Sequence, residues 1–399
     1  VTRAVDGLEA PVRRSRGQAP LPVDLPFDTP PALAVGGDLK NTFCLGEGRL
    51  AWLSAHVGDM DDLATLAAFS VAEPHLETLT GVLPEAIATD RHPAYRSRRW
   101  ARERAAGRPV VEVQHHHAHV ASTLADNGVG DGRRVLGVAF DGTGYGDDGA
   151  VWGGEFLLAD YASYERVGHL AYVALPGGDA GVRNPCRMAL SHLAAAGVDW
   201  DPRLPAVRAC GDDELGVLAR QLDTGLRCVP TSSMGRLYDA VASLAGIRHR
   251  VDHDGQAAME LESVARSAPV GEGYRFGPGA DAGPVVAAAA EDVLAGRAPA
   301  LVAARFQAAV VGLVVETASR VRAETGTGTV TLSGGVFLNA YLTSACAARL
   351  GAAGFEVLRH RRVPASDAGL ALGQLAVLAH RPPANTRRHP PPEEETPCA

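Results

Sequence analysis

The chain has 399 residues, 46% of them hydrophobic, with a net charge of −8 and a pI near 6.0. That length and composition fit a large buried core shared by two domains or two lobes, and argue against a disordered or fibrous chain. The acidic balance argues against nucleic acid as a partner. The most apolar helical stretch, Leu301 to Val315, is broken by Arg305 and Gln307 and reads as too short and too polar to cross a membrane.

In chain order, residues 1 to 32 are basic and then Pro-rich ("VRRSRGQAPLPVDLPFDTPP"), which predicts the tail of a preceding domain and a linker. From 31 to 57 two apolar segments flank a polar turn, the pattern of a strand pair. A helix is expected from about 59, kinked or split at Pro74. Then come strand 86–90, an Arg-rich helix 95–106, strand 110–113 and a helix opened by "HHHAH". A second strand pair spans 135–160 around the Gly- and Asp-rich stretch "DGTGYGDDG", which reads as a turn. The two strand pairs lie about a hundred residues apart, a duplication that suggests a two-lobed enzyme. Residues 186–265 are mainly helical, and helix 300–323, strand 329–335, helix 338–350, strand 355–358 and helix 367–379 alternate as in a parallel α/β sheet. The end, 381–399, is Pro-rich and charged, as in a disordered tail.

His115 and His119 stand four apart, so on a helix both imidazoles leave one face and can share an ion. His116 and His117 point elsewhere and suit packing or hydrogen bonding. A cation held by two imidazoles needs oxygen donors, and Asp141 at a strand end and Asp367 at a helix start are candidates for an iron or zinc site. Asp367 equally fits a helix N-cap. "GGDLKN", "DGTGYG" and "LSGGVFLN" each follow an apolar strand, where glycine lets backbone N–H groups approach phosphate oxygens, so a nucleotide between two lobes is expected, with adenosine over "LSGG". Neither a Walker pattern nor G-x-G-x-x-G follows a strand, and H-x-x-x-H lacks the glutamate of zinc proteases. Of the 38 basic residues only Lys40 is a lysine, and it lies in the first of these glycine loops. A compact ammonium retained among arginines suggests a role there. Six scattered cysteines with no C-x-x-C pair fit a reducing cytoplasm.

Together "GGDLKNTFCL", "VQHHHAHVAS", "FDGTGYGDDGAVWGGEFLLADY", "LPGGDAGVRNPCRMAL", "TSSMGRLYDAVASLAGI", "DGQAAMELE", "LSGGVFLN" and "PASDAGLALGQ" resemble the hydrogenase-maturation carbamoyltransferases, the HypF family, in their Kae1-like domain. The matches run in family order from about 33 to 378, and "VRRSRGQAPLPVDLP" is similar to the end of the YrdC-like domain that precedes it. The resemblance implies a domain at 33–380 with an α/β, two-lobed, actin/Hsp70-like (ASKHA) nucleotide-binding fold. It implies that ATP and carbamoyl phosphate are joined to carbamoyl adenylate, and that the carbamoyl group passes to the C-terminal cysteine of a HypE-type partner, on the way to hydrogenase cyanide ligands. With the activating domains largely outside 1–399, transfer alone is expected of this stretch.

The resemblance further implies that His115, His119, Asp141 and Asp367 hold a divalent metal, iron or zinc. Asp141, Gly142, Thr143, Gly144, Asp239, Gly334, Gly335 and Asn339 would contact the adenylate, and Lys40 its phosphate or carbamoyl group. The chain departs from the usual family pattern at Asn184 and Cys186 (Glu and Trp), Gln307 (His), Leu338 (Gln), and at Ser366 and Ala368 (Asn and Gly). Two other readings remain at this stage: O-carbamoylation of a small natural product, and a non-catalytic nucleotide-binding scaffold. A tRNA-threonylcarbamoylating role is opposed by the acidic charge.

Overall fold

The computed structural model describes residues 1–268 and 271–381. The expected tail therefore lies outside the described residues from 382 onward. A short antiparallel hairpin, β1 (Thr2–Val5) and β2 (Leu8–Pro11), comes first. The first lobe follows as β3 (Val23–Ala34), β4 (Cys44–Leu53), α1 (Leu63–Thr80), β5 (Ala86–Asp90), α2 (Arg96–Arg104), β6 (Val110–Val113) and α3 (His115–Asp126). Its sheet has the order β4-β3-β5-β6, with the first pair antiparallel and the others parallel.

The boundary expected at 32/33 falls inside β3. Val23, Leu25 and Phe27 alternate into the core, and the prolines that suggested a linker are absorbed where the β3–β4 register shifts between Asp24 and Ala32. Helix α1 starts where Asp62 accepts from the Ala64 N–H at 3.2 Å and stops at Gly81 (φ 77°). Pro74 lies within it without splitting it.

The second lobe contains β7 (Val135–Tyr145), β8 (Val151–Ala159), β9 (Tyr164–His169), β10 (Val173–Pro176), α4 (Asp179–Arg183), α5 (Pro185–Ala195), α6 (Pro205–Cys210), α7 (Asp212–Thr224), β11 (Cys228–Thr231), α8 (Met234–Leu244), α9 (Gln256–Ala265), α10 (Gly283–Leu294), α11 (Pro299–Thr325), β12 (Thr329–Ser333), α12 (Ala340–Ala352), β13 (Glu356–Arg359) and α13 (Leu370–Ala379). Its sheet runs β10-β11-β8-β7-β12-β13, with β9 added to β8. Asp141 to Tyr145, expected as a turn, are instead the end of β7, made irregular by a register shift between Phe140 and Gly144. Helix α11, expected at 300–323, runs from Pro299 to Thr325, and contrary to the reading of its apolar stretch as too short and too polar it could cross a membrane by length and composition. Here 61% of its apolar window is buried inside the fold, where Phe306, Val310 and Val314 join the second-lobe core.

Two helices join the lobes. α13 closes the chain of second-lobe elements yet packs on the first-lobe strands β3 and β4, while α3 packs on β7 and β12 of the second lobe. α3 is buried along its whole length and α13 from Leu370 to Leu378, an apolar run whose one polar side chain, Gln374, is buried against the Gly36 backbone. They cross with backbones touching: a Cβ placed on Gly373 would lie 1.8 Å from the Ala118 carbonyl oxygen. The Ser122 hydroxyl ties the crossing by donating to the Gly369 carbonyl at 2.7 Å. At the end of α3 the fully buried Asp126 carboxylate accepts from the Arg361 N–H at 2.6 Å and from Arg362 Nε at 3.1 Å, fixing the loop that leads to Asp367.

Gly373→Ala should therefore destabilise the protein by about 3 kcal/mol, the upper range for overpacking a core; an unchanged urea midpoint would show that the helices can part cheaply. Burial would raise the Asp126 carboxyl, but the nearby His360 ring and the hydrogen bonds from the 361–362 backbone outweigh it and hold it down to about 2. Its contribution is complete above the ordinary carboxylate range and is lost as pH falls through the folded value. Asp126→Asn should thus cost about 2–3 kcal/mol at pH 7 and make acid unfolding less steep, read from urea midpoints at pH 7 and 3.

Candidate metal and nucleotide site

The start of α3 sets two imidazoles in place. Gln114 caps the helix, its Oε1 accepting from the His117 N–H at 2.9 Å, so the first turn is fixed and His115 and His119 leave one face. Asp141 comes from the irregular end of β7, and its Oδ1 accepts from the Gly335 N–H at 2.9 Å. Asp367 opens a 3-10 turn whose N-cap is Ser366, so Asp367 is not the cap that its sequence position equally suggested. One donor atom from each of these four buried residues lies within 4.8 Å of all the others.

The donors face one another. His115 Nε2 is 3.2 Å from Asp141 Oδ2 and 3.7 Å from Asp367 Oδ1, and His119 Nε2 is 3.5 Å from both carboxylates. His119 Nε2 has no hydrogen-bond partner although it is buried. An orphaned imidazole nitrogen aimed at two carboxylate oxygens is costly unless a proton or a cation completes it. Behind the cluster His115 Nδ1 is 2.8 Å from Asp90 Oδ2, which leaves Nε2 turned towards the centre. Burial pulls the His115 and His119 imidazoliums down, but the surrounding carboxylates outweigh it and hold both above the ordinary histidine range. Asp141 is held well below its usual value, since the two imidazoles overcome its burial. Two nitrogen and two oxygen donors in a dry wall fit a divalent iron or zinc ion.

A cavity of about 560 Å³ adjoins this cluster. Its walls include Lys40, Asp141, Gly142, Asp239, Gly335 and Asn339. Lys40 sits at φ 49°, its N–H held by Asp59 at 2.8 Å, and its ammonium is paired with Asp254. Burial would lower its pKa, but Asp254, Asp367 and Asp141 together raise it, so it stays cationic. Burial pushes Asp239 up to about 6, with Arg236 opposing at 2.9 Å. Asn339 caps α12 through Oδ1 at 2.9 Å, leaving its buried Nδ2 without a partner.

Other expected contacts lie elsewhere. A Cβ on Gly144 would meet the His116 ring at 2.5 Å, and one on Gly334 the Phe140 carbonyl at 2.2 Å. Both glycines therefore serve close packing around the donors, and neither they nor Thr143 line the cavity. Gln307 is buried in the second-lobe core, accepting from the Tyr238 hydroxyl at 2.7 Å, while Leu338 lies on the cavity wall. His117 lies within 2.7 Å of the Asp160 carbonyl through Nε2, as expected of a histidine turned away from the donors.

Sequence reasoning missed Asp90, Asp254, Arg236 and the contribution of Arg3 and Arg13 to the cavity wall. Asp90 carried a signal, an acid closing a buried parallel strand; Asp254 reaches Lys40 across 214 positions and carried none.

A two-lobed α/β chain that sets an imidazole–carboxylate cluster beside an interlobe cavity is of the Kae1-like, ASKHA-type class. The model of the HypF Kae1-like domain matches residues 27–126, and that of the second subdomain of the carbamoyltransferase Kae1-like domain matches 137–374. Carbamoyltransferase HypF of Rhizobium leguminosarum bv. viciae is 40% identical over 94% of this chain and 49% of its own length. A carbamoyltransferase HypF homolog of Cupriavidus necator is 36% identical over 93% of this chain and 98% of its own length. The crystal structure of a full-length HypF in its phosphate- and nucleotide-bound form matches 94% of this chain and 49% of that one, with a TM-score of 0.87 at 37% identity. That of T. kodakarensis HypF matches 94% of this chain and 51% of that one, with a TM-score of 0.85 at 32% identity. The chain belongs to the HypF carbamoyltransferase family, and it spans about half the length of the full-length relatives it matches.

His119→Ala should abolish stoichiometric iron or zinc binding while leaving the helical circular dichroism intact, because the imidazole it removes has no other partner. Full metal occupancy in the variant, measured by plasma emission, would end the ligand assignment.

Proposed function

We propose that this chain carries out the transfer step of a carbamoyltransferase in [NiFe]-hydrogenase maturation. It moves a carbamoyl group from carbamoyl adenylate, made from carbamoyl phosphate and ATP, to the C-terminal cysteine of a HypE-type partner. The observation that carries this reading is Asp141: its carboxylate belongs to the donor cluster and also lines the cavity, so a bound adenylate has its acyl end at the cluster.

The metal, iron or zinc on His115, His119, Asp141 and Asp367, supplies Lewis acidity when bound. The chain's residues do the rest. Asp239 accepts from a ribose hydroxyl and the free Asn339 amide donates to the nucleotide. Lys40 exchanges part of its pairing with Asp254 for the adenylate phosphate, neutralising the leaving group. The partner's thiol reacts as thiolate, its proton lost to solvent. Sulfur attacks the carbonyl carbon, a C–S bond forms, the C–O bond to phosphate breaks, and AMP leaves with that electron pair.

The test supplies carbamoyl adenylate and a peptide ending in cysteine to the metal-loaded chain. A thiocarbamate and one AMP per transfer are expected, with no product from a peptide ending in serine. Lys40→Ala should raise the KM for the adenylate about tenfold, the worth of one charged hydrogen bond of about 1.5 kcal/mol, at unchanged metal content. AMP release without thiocarbamate would overturn the reading.

A further inference from the structure

Charge on the cavity wall is almost balanced before any ligand arrives. Four carboxylates and four arginine or lysine side chains line it. Asp141 belongs to the donor cluster. The other three acids each hold a cation: Asp239 takes Arg236 at 2.9 Å, the buried Glu262 takes Arg3 at 2.6 Å, and Asp254 takes Lys40. Among the described residues, Arg13 is the one arginine of this wall without a carboxylate partner. A wall with one unmatched cation suits a ligand of one negative charge better than a ligand of two.

Of the three paired acids, Asp254 alone has no second task. Glu262 also accepts from the Ala340 N–H at 3.1 Å, and Asp239 is buried within α8. Asp254 stands exposed in the turn before α9, on the cavity wall, and among the described residues its carboxylate has a single hydrogen-bond partner, Lys40 of the opposite lobe. Its other oxygen is near Arg236: a Cβ placed on Gly142 would lie 4.0 Å from Asp254 Oδ1 and 3.8 Å from Arg236 Nη2. Gly142 follows Asp141, so with the acyl end at the donor cluster and the ribose at Asp239, the phosphate joining them passes this point. Burial would raise the Asp254 carboxyl, but Lys40 and Arg236 outweigh it and hold it below its ordinary range, so it meets the ligand as an anion.

We propose that Asp254 is a specificity-determining residue: its carboxylate sets the charge of the phosphate subsite, so that singly charged carbamoyl adenylate is held and doubly charged AMP is expelled. The inference rests on the transfer reading above. The mixed anhydride carries one negative phosphate oxygen. When the C–O bond to phosphate breaks, AMP keeps the electron pair and gains a second charge, since a phosphate monoester loses its last proton with a pKa of about 6. Repulsion by a fixed carboxylate is proportional to ligand charge, so in free energy it weighs about twice as heavily on AMP as on the adenylate.

Calorimetric titration of the metal-loaded chain with AMP and with its methyl phosphate ester, which keeps one charge, tests this at low ionic strength. In Asp254→Asn, AMP should bind about tenfold more tightly and the ester about threefold, the square root of that gain. Asp254→Glu keeps the charge and should keep the wild-type ratio of the two affinities; a ratio shifted as in Asp254→Asn would overturn the proposal. In the transfer assay AMP should inhibit Asp254→Asn about tenfold more strongly than wild type. Equal gains for AMP and the ester, no gain for either, or weaker binding of both also overturn it, the last marking the Asp254–Lys40 pair as an ordinary tie between the lobes. If the affinities shift as expected but no thiocarbamate forms, the transfer reading fails and charge selection stands; if wild type binds neither nucleotide, both fall.

Discussion

The site depends on two helices that touch without side chains between them. α3 brings both imidazoles, and the turn leading into α13 brings Asp367; at Gly373 the backbone of one lies against the carbonyl of Ala118 in the other. Helices separated by ordinary side chains run about 8–10 Å apart, and a donor set gathered within 4.8 Å leaves little room for drift. Because each helix also packs on the sheet of the opposite lobe, the donors sit at the one place where both lobes share a core. Asp126, which anchors the loop before Asp367 from the end of α3, braces the same geometry from the far side.

Electrostatics follow from that closeness. Two carboxylates and two imidazoles, almost entirely buried, balance their charge either when both rings carry protons or when a dication sits among them. The Asp90 carboxylate behind His115 biases which ring nitrogen is presented. Lys40 adds a further cation at the cavity side, pinned by Asp254 and by a left-handed backbone that few side chains adopt without cost. The lone lysine of the chain thus stands where three carboxylates outweigh its burial and keep a compact charge permanent.

Much of this was legible in the residues. The strand and helix order follows hydrophobic periodicity, and the spacing of His115 and His119 alone put two rings on one face. Asp141 and Asp367 were candidates from position, but their convergence needed the resemblance, since nothing local says that residues 226 positions apart meet. Where the reading failed, a tertiary effect won. Gly-rich residues 141–145 form a strand because they must pass close to His115 and His116, and the prolines before 32 are tolerated in β3 where its pairing slips. Helix α11 was judged by its interruptions at Arg305 and Gln307, yet it is long enough to span a bilayer and is drawn inward by the core. Asp90 and Asp254 act through partners that only folding supplies.

The segment before β3 has a consequence for how such a domain is delimited. Arg3 reaches from β1 to the buried Glu262 at 2.6 Å and to the Leu338 carbonyl at 2.9 Å, and Val12 and Arg13 line the cavity itself. Arg14, buried, grips the carbonyls of Gln18, Leu21 and Arg362. β1 and the residues just after β2 thus form part of the cavity wall. Cutting the chain at 32/33 would strip that wall from the cavity and sever the core strand β3, so the chamber and the first-lobe sheet share one dependence on residues before 33.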